Sequence, residues 1–176
     1  VIFTPATIAG AFAIEAERLE DERGFFARTY CEEEFRHHGI PPVAAQCNIS
    51  YNTLRGTLRG MHYQLAPHES KLVRCTMGAI YDVLLDLRPG SATYRQWQSF
   101  DLTAANRRMV YIPPGVAHGF LTLEDATEVL YQMGSAFVAG AGRGVRWDDP
   151  AFGVEWPFAP VVVSERDRSY AAYPDA

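Results

Sequence analysis

The chain has 176 residues and a mass of 19.6 kDa, with 16 Lys and Arg against 21 Asp and Glu for a net charge of −5. No basic tract occurs, which argues against a nucleic acid or an anionic membrane as partner, so a phosphate-bearing ligand must be gripped by local arginines. One domain over residues 1–176 is expected, with enough chain to bury a core. No apolar run approaches a membrane span and no signal peptide is visible. Three scattered cysteines (Cys31, Cys47, Cys75) suit neither a disulfide framework nor a zinc knuckle, so a reducing, cytoplasmic setting is expected.

In chain order, EDERG at 20–24 reads as a charged turn leading into Phe25 and Phe26. CEEEFRHH at 31–38 reads as a short helix, with acids early and basic residues late to suit the helix dipole and Gly39 to stop it. From Val43 the pattern turns strand-like: VAAQCNISYN, TLRGMHYQ, KLVRCTMG, AIYDVLLDLR, YRQWQSFDL, RRMVYIP, HGFLTL and TEVLYQM are short runs, most of them separated by turn residues. Many short strands with few helices indicate an all-β sandwich or barrel. AGAGRG at 139–144 reads as a flexible loop. The last thirty residues, rich in Pro and aromatics such as Trp147 and Trp156, read as an irregular segment packed over one end.

The stretch from Thr57 to Cys75 concentrates chemistry: Arg59, His62 and Lys71 lie on two strand-like segments, with Pro67 marking the turn between them. Strict alternation sends Leu58, Gly60, His62 and Gln64 to one face and Arg59, Met61 and Tyr63 to the other. Arg59 and His62 can share a face if Gly60 carries a bulge. Lys71 is either a snorkelling edge residue or a buried cation with a task. Elsewhere, His37 and His38 suit a helix C-terminus and His68 a solvated turn. His118, after the Pro113-Pro114-Gly115 turn, is either a core histidine or a site residue. Tyr131 on its own reads as a half-buried strand tyrosine, and Asp167 as a surface charge. A metal site of the cupin kind needs two histidines one residue apart, and the position two beyond His62 is Gln64, so no metal is expected. No nucleophile elbow, activated cysteine or glycine-rich phosphate loop is present.

Taken together, DERGFFART (21–29), QCN (46–48), LRGMHYQ (58–64), KLVRC (71–75), YDVLLDLR (81–88), IPPGVAHGF (112–120), RGVRWDDP (143–150) and SERD (164–167) resemble the dTDP-4-dehydrorhamnose 3,5-epimerase family of nucleotide-sugar enzymes, over nearly the whole chain. The resemblance implies a jelly-roll β-sandwich of the cupin type with a few short helices, a homodimer that exchanges N-terminal strands, and no metal or organic cofactor. It implies His62 as catalytic base, Asp167 as its carboxylate partner, Lys71 beside the sugar ketone and Tyr131 as proton donor. It also implies substrate contacts from Arg23, Phe26, Arg28, Gln46, Asn48, Arg59, His118, Phe137 and Arg166. Phe137 stands where the family commonly has a tyrosine stacked on thymine, Arg28 replaces a frequent glutamate, and Gly142 replaces an acidic residue near the substrate. All three lie outside the proton-transfer set.

The implied roles suit the residue types. Removing a proton next to a ketone needs a positioned base and a stabilised enolate. A carboxylate on the far imidazole nitrogen fixes the tautomer and stabilises the imidazolium. An ammonium can meet the enolate oxygen, a phenol can return a proton to the opposite face, and arginine forks suit a diphosphate. The implied reaction converts dTDP-4-dehydro-6-deoxy-D-glucose to dTDP-4-dehydro-L-rhamnose. The alternatives are a single-carbon epimerase (C3 or C5), a non-catalytic sugar-nucleotide-binding cupin, which has no need of a base–acid pair, and a metal-dependent cupin, which Gln64 disfavours.

Overall fold

The computed structural model describes residues 1–66 and 68–174; Pro67, expected at a turn, lies outside the described residues. Four strands of four residues open the chain: β1 (Ile2–Pro5), β2 (Phe12–Glu15), β3 (Arg18–Asp21) and β4 (Gly24–Ala27). After α1 (Glu32–His37) come β5 (Gln46–Asn52), β6 (Thr57–Gln64), β7 (Lys71–Met77), β8 (Ala79–Asp86) and β9 (Trp97–Thr103). The chain continues with β10 (Met109–Ile112), β11 (Val116–Thr122), β12 (Thr127–Met133), β13 (Gly142–Gly144), β14 (Val162–Val163) and α2 (Glu165–Arg168). Each of the eight strand-like runs holds a strand, and the expected helix lies between caps at Cys31 and His38. The segment read as a loop at 139–144 ends instead in β13, and the tail read as irregular contains β14 and α2.

Two sheets face each other, one ordered β1-β2-β10-β7-β12-β5 and the other β13-β6-β11-β8-β9, with β14 added beside β6. This is the expected all-β jelly-roll sandwich of the cupin type. Val73, Val110, Ile112 and Val129 of the first sheet meet Ile80, Leu84, Leu102 and Phe120 of the second in the shared core. The outer face of the first sheet is covered by α1 and the turn after it, through Phe35, Ile40 and Val43 against Leu72, Met109 and Tyr111. The outer face of the second is covered by the C-terminal segment, through Phe152 and Trp156 around Met61, Val83 and Leu85. With both faces buried, β8 and β11 read as near-continuous apolar runs instead of alternating ones.

Two departures from regular pairing create the site. On β6, His62 pairs with His118 and Arg59 with Phe120, so Gly60 and Met61 together oppose Gly119 alone. This is the bulge expected at Gly60. It brings Arg59 and His62 to the same cavity and turns Met61 toward the outer core. Only glycine fits here: Gly60 has φ +127°, and a Cβ on it would stand 2.5 Å from Gly119 Cα. The second departure is β14, which runs parallel to β6 with Val162 beside Thr57 and Val163 beside Leu58. That short pairing delivers α2 to the mouth of the sandwich.

Candidate active site

A cavity of about 610 Å³ opens between the sheets, lined by β5, β6, the start of β7, β11, β12, β14 and α2. His62 Nε2 lies 2.6 Å from Asp167 Oδ1, across 105 residues of chain. Asp167 is 3% exposed. Its Oδ2 accepts from the Gly60 amide at 3.2 Å, and its own amide donates to the Ser164 hydroxyl that caps α2 at 3.1 Å. Burial works against the charged carboxylate, but contacts with the His62 ring, the Gly60 amide and Ser164 outweigh it and hold Asp167 below the usual carboxylate range. A charged carboxylate only accepts, so Nε2 is the ring nitrogen that carries a proton toward Asp167. This is the geometry of an oriented imidazole base.

Lys71 is nearly buried on the cavity wall, where Nζ donates to the His62 carbonyl at 3.4 Å and forms an ion pair with Glu69 at 3.1 Å. Lys71 is therefore nearly buried and not a snorkelling edge residue. From the opposite sheet, the Tyr131 hydroxyl lies 3.3 Å from Ser50 Oγ, and its ring meets the His118 ring edge-on at 6.1 Å between centroids. Burial pushes the Tyr131 phenol well above its ordinary value; Asp82 adds to this, while Ser50 and Arg59 act against it. The phenol therefore stays protonated across the neutral range. His118 lines the cavity with Nε2 2.6 Å from Asp82 Oδ1, both side chains almost fully buried, while Asp82 Oδ2 has no hydrogen-bond partner among the described residues.

Arg59 reaches the cavity with its Nε donating to Asn52 Oδ1 at 2.7 Å. Asn48 and Arg166 line the cavity and also an adjoining cleft of about 210 Å³, where Gln46, Phe137 and Gly142 lie. Gln46 ties that cleft together, donating to Asn48 Oδ1 at 3.0 Å and accepting from the Phe137 amide at 2.9 Å. The ring of Phe137 is left exposed. Arg166 donates to the Tyr170 hydroxyl at 3.0 Å. Among the described residues, no group of three or more His, Cys, Asp or Glu side chains is placed to hold a metal ion.

Three of the expected site residues are elsewhere in the single chain. Arg23, in the turn of the β3–β4 hairpin, pairs with Asp21 two residues away. Phe26 and Arg28 border a separate cleft with Val1, Glu17, Leu19 and Glu34. Conversely, Glu69 and Ser50 line the cavity, Asp82 and Tyr170 hold His118 and Arg166 that line it, and all four escaped sequence reading. Asp82 carried a signal, as an acid inside the apolar run YDVLL; Ser50 and Tyr170 carried none.

The fold is a cupin-type sandwich whose cavity holds a paired histidine and carboxylate. A family model described as dTDP-4-dehydrorhamnose 3,5-epimerase matches residues 5–175. The chain is 40% identical over 169 residues to the dTDP-4-dehydrorhamnose 3,5-epimerase of Sinorhizobium fredii, covering 95% of this chain and 87% of that protein. A 3,5-epimerase of Legionella pneumophila solved with dTDP-4-keto-L-rhamnose superposes with a TM-score of 0.90 at 31% identity, over 97% of this chain and 92% of the other. A 3'-monoepimerase of Streptomyces bikiniensis in complex with dTDP-quinovose superposes at 0.87 with 32% identity, over 96% and 86%. The chain belongs to the dTDP-4-dehydrorhamnose 3,5-epimerase family.

Proposed function

We propose that the protein converts dTDP-4-dehydro-6-deoxy-D-glucose to dTDP-4-dehydro-L-rhamnose, inverting C3 and C5 beside the ketone. His62 Nδ1 takes the proton, and Asp167 on the other ring nitrogen stabilises the imidazolium that results. Lys71 meets the developing enolate oxygen with positive charge. Tyr131, from the facing sheet, returns a proton on the opposite side of the sugar ring. The observation that carries this reading is the His62–Asp167 pair and the Tyr131 hydroxyl on opposite sheets of one cavity. Arg59, Arg166, Asn48 and His118 would hold the diphosphate and sugar. Gln46 and Phe137 would hold the base, with a phenyl ring stacking where a tyrosine is common.

Several features support a homodimer. The β3–β4 hairpin forms its own two-stranded sheet and exposes Leu19 and Phe26 at 69% and 73%. In this reading a second copy brings Arg23, Phe26 and Arg28 to the nucleotide end of its neighbour's cavity. The family match over residues 5–175 supports one epimerase domain. Three unpaired cysteines are consistent with a cytoplasmic enzyme, and among the described residues no helix is long and apolar enough to cross a membrane. The likeness to a 3'-monoepimerase favours a second reading, inversion at C3 alone. Incubation with dTDP-4-keto-6-deoxyglucose in heavy water tests both. Deuterium at C3 and C5 with inversion at each is the expected NMR result; label and inversion at C3 alone selects the second reading, and no exchange rejects both.

A further inference from the structure

Glu69 and Lys71 stand two residues apart where the chain enters β7, and both line the large cavity. Their side chains are 13% and 9% exposed, with Glu69 Oε1 3.1 Å from Lys71 Nζ. A nearly buried carboxylate in a cavity that receives a diphosphate is unfavourable by itself, because desolvation and like charge both oppose it. Lys71 supplies the reason for it. An ammonium has three N–H donors and no acceptor. The His62 carbonyl accepts from it at 3.4 Å and the Glu69 carboxylate pairs with it at 3.1 Å, which leaves the rest of the ammonium to whatever fills the cavity. One carbonyl acceptor and one paired carboxylate restrict where the ammonium head can sit. Without them the head of a lysine swings on a flexible four-carbon stem.

The segment that carries Glu69 is itself fixed. Buried Ser70 accepts from the Gly134 amide through its carbonyl at 2.9 Å. A Cβ at Gly134 would stand 2.2 Å from the Ser70 hydroxyl, so glycine there lets the two segments close on each other. Glu69 is therefore presented by packed backbone and not by a free loop.

We propose that Glu69 is a positioning residue for Lys71: together with the His62 carbonyl it holds the ammonium toward the ketone oxygen that gains charge as the proton leaves. This rests on the epimerase reading of the site. The carboxylate also cancels the lysine charge in the empty cavity, so binding and chemistry respond to its loss in opposite directions. Removing it frees positive charge to attract the diphosphate, while the enolate loses a directed donor.

The test compares Glu69→Gln, Glu69→Asp, Lys71→Met and the Glu69→Gln/Lys71→Met double variant. dTDP binding is read by calorimetry, and turnover by deuterium exchange and epimerisation. In Glu69→Gln, kcat should fall about 10- to 100-fold, the scale set by a misplaced catalytic group, while dTDP binds as tightly as in wild type or more tightly. Glu69→Asp keeps the charge but loses one methylene of reach, and should fall between. With Lys71 already replaced, Glu69→Gln should slow exchange no further. An unchanged kcat, an equal loss with and without Lys71, or a loss accompanied by weaker dTDP binding and a lower Tm in both Glu69 variants would each overturn the proposal. A wild-type protein that binds dTDP but exchanges no deuterium removes the epimerase reading and this inference with it. An active wild type indifferent to Glu69 removes this inference alone.

Discussion

Arg59 and Arg23 are both arginines expected at a diphosphate, and the chain treats them differently. Arg59 leans on Asn52, a buried side chain of β5 in the other sheet that in turn donates to the Thr127 carbonyl at 3.1 Å. Arg23 is exposed and pairs with Asp21 inside its own turn. The same contrast holds around each of them. The cavity wall carries His62, Lys71 and His118, each joined to an acid that is itself nearly or fully buried. The β3–β4 hairpin carries exposed Leu19 and Phe26, with Phe25 under the Arg107 guanidinium at 4.6 Å. Buried charges must be paired by the fold and so have one geometry, whereas exposed ones gain little from local pairs and are free to meet a partner. The cavity wall is organised within one chain; the hairpin is the part that a second copy would complete.

The largest effect expected from this contrast is at His62. His62→Ala should lower exchange at every labelled carbon by about 10⁴-fold, the upper range for loss of a general base, because the Asp167-oriented imidazole is the base in this reading. Exchange at the wild-type rate, followed by NMR in heavy water, would remove histidine from the mechanism. Next is Tyr131→Phe, which should leave proton removal largely intact and lower net inversion by about 10²- to 10³-fold. Solvent deuterium would then enter with retained configuration. If exchange and inversion fall together, or neither changes, Tyr131 is not the donor on the opposite face.

A smaller effect belongs to the hairpin and carries the comparison across chains. Phe26→Ala should raise KM by about tenfold, or about 1.4 kcal/mol, with kcat little changed, since the hairpin would touch nucleotide and not the reacting carbon. An unchanged KM together with a monomeric wild-type protein in sedimentation would confine the site to one chain.

The smallest effect is in acid stability and separates Asp167 from Asp21. Both are held below the usual carboxylate range, Asp167 with burial opposing the pull of His62, and Asp21 by Arg23. A folded value below the unfolded one means that the native state binds fewer protons. The stability it contributes is therefore present above the ordinary carboxylate pKa and is lost as pH falls through the folded value. Asp167→Asn should flatten that acid limb in urea melts, because its carboxylate is buried. Asp21→Asn should leave it unchanged, because solvent screens an exposed pair. Equal responses would mean that burial does not distinguish the two.

Much of the chain was legible before folding. β6 runs from Thr57 to Gln64 as the LRGMHYQ run indicates, α1 ends before Gly39, and the expected bulge at Gly60 is present. These features are local: turn residues, acid and base placement and a glycine inside a strand act over a few neighbours. The four N-terminal strands went unread because four residues each, in segments such as RLED, hold too little pattern to separate a strand from a turn. Asp167 drew attention only through a family motif, since SERDRSY by itself reads as surface charge. Its burial depends on β14 pairing with a strand more than a hundred residues earlier, which carries α2 onto the Gly60 amide and the His62 ring. Glu69 against Lys71 and Asp82 against His118 were likewise decided by the tertiary structure. Sequence determines which side chains can ionise or donate, but a buried charge finds its partner only when two sheets close and exclude the water that would otherwise solvate both.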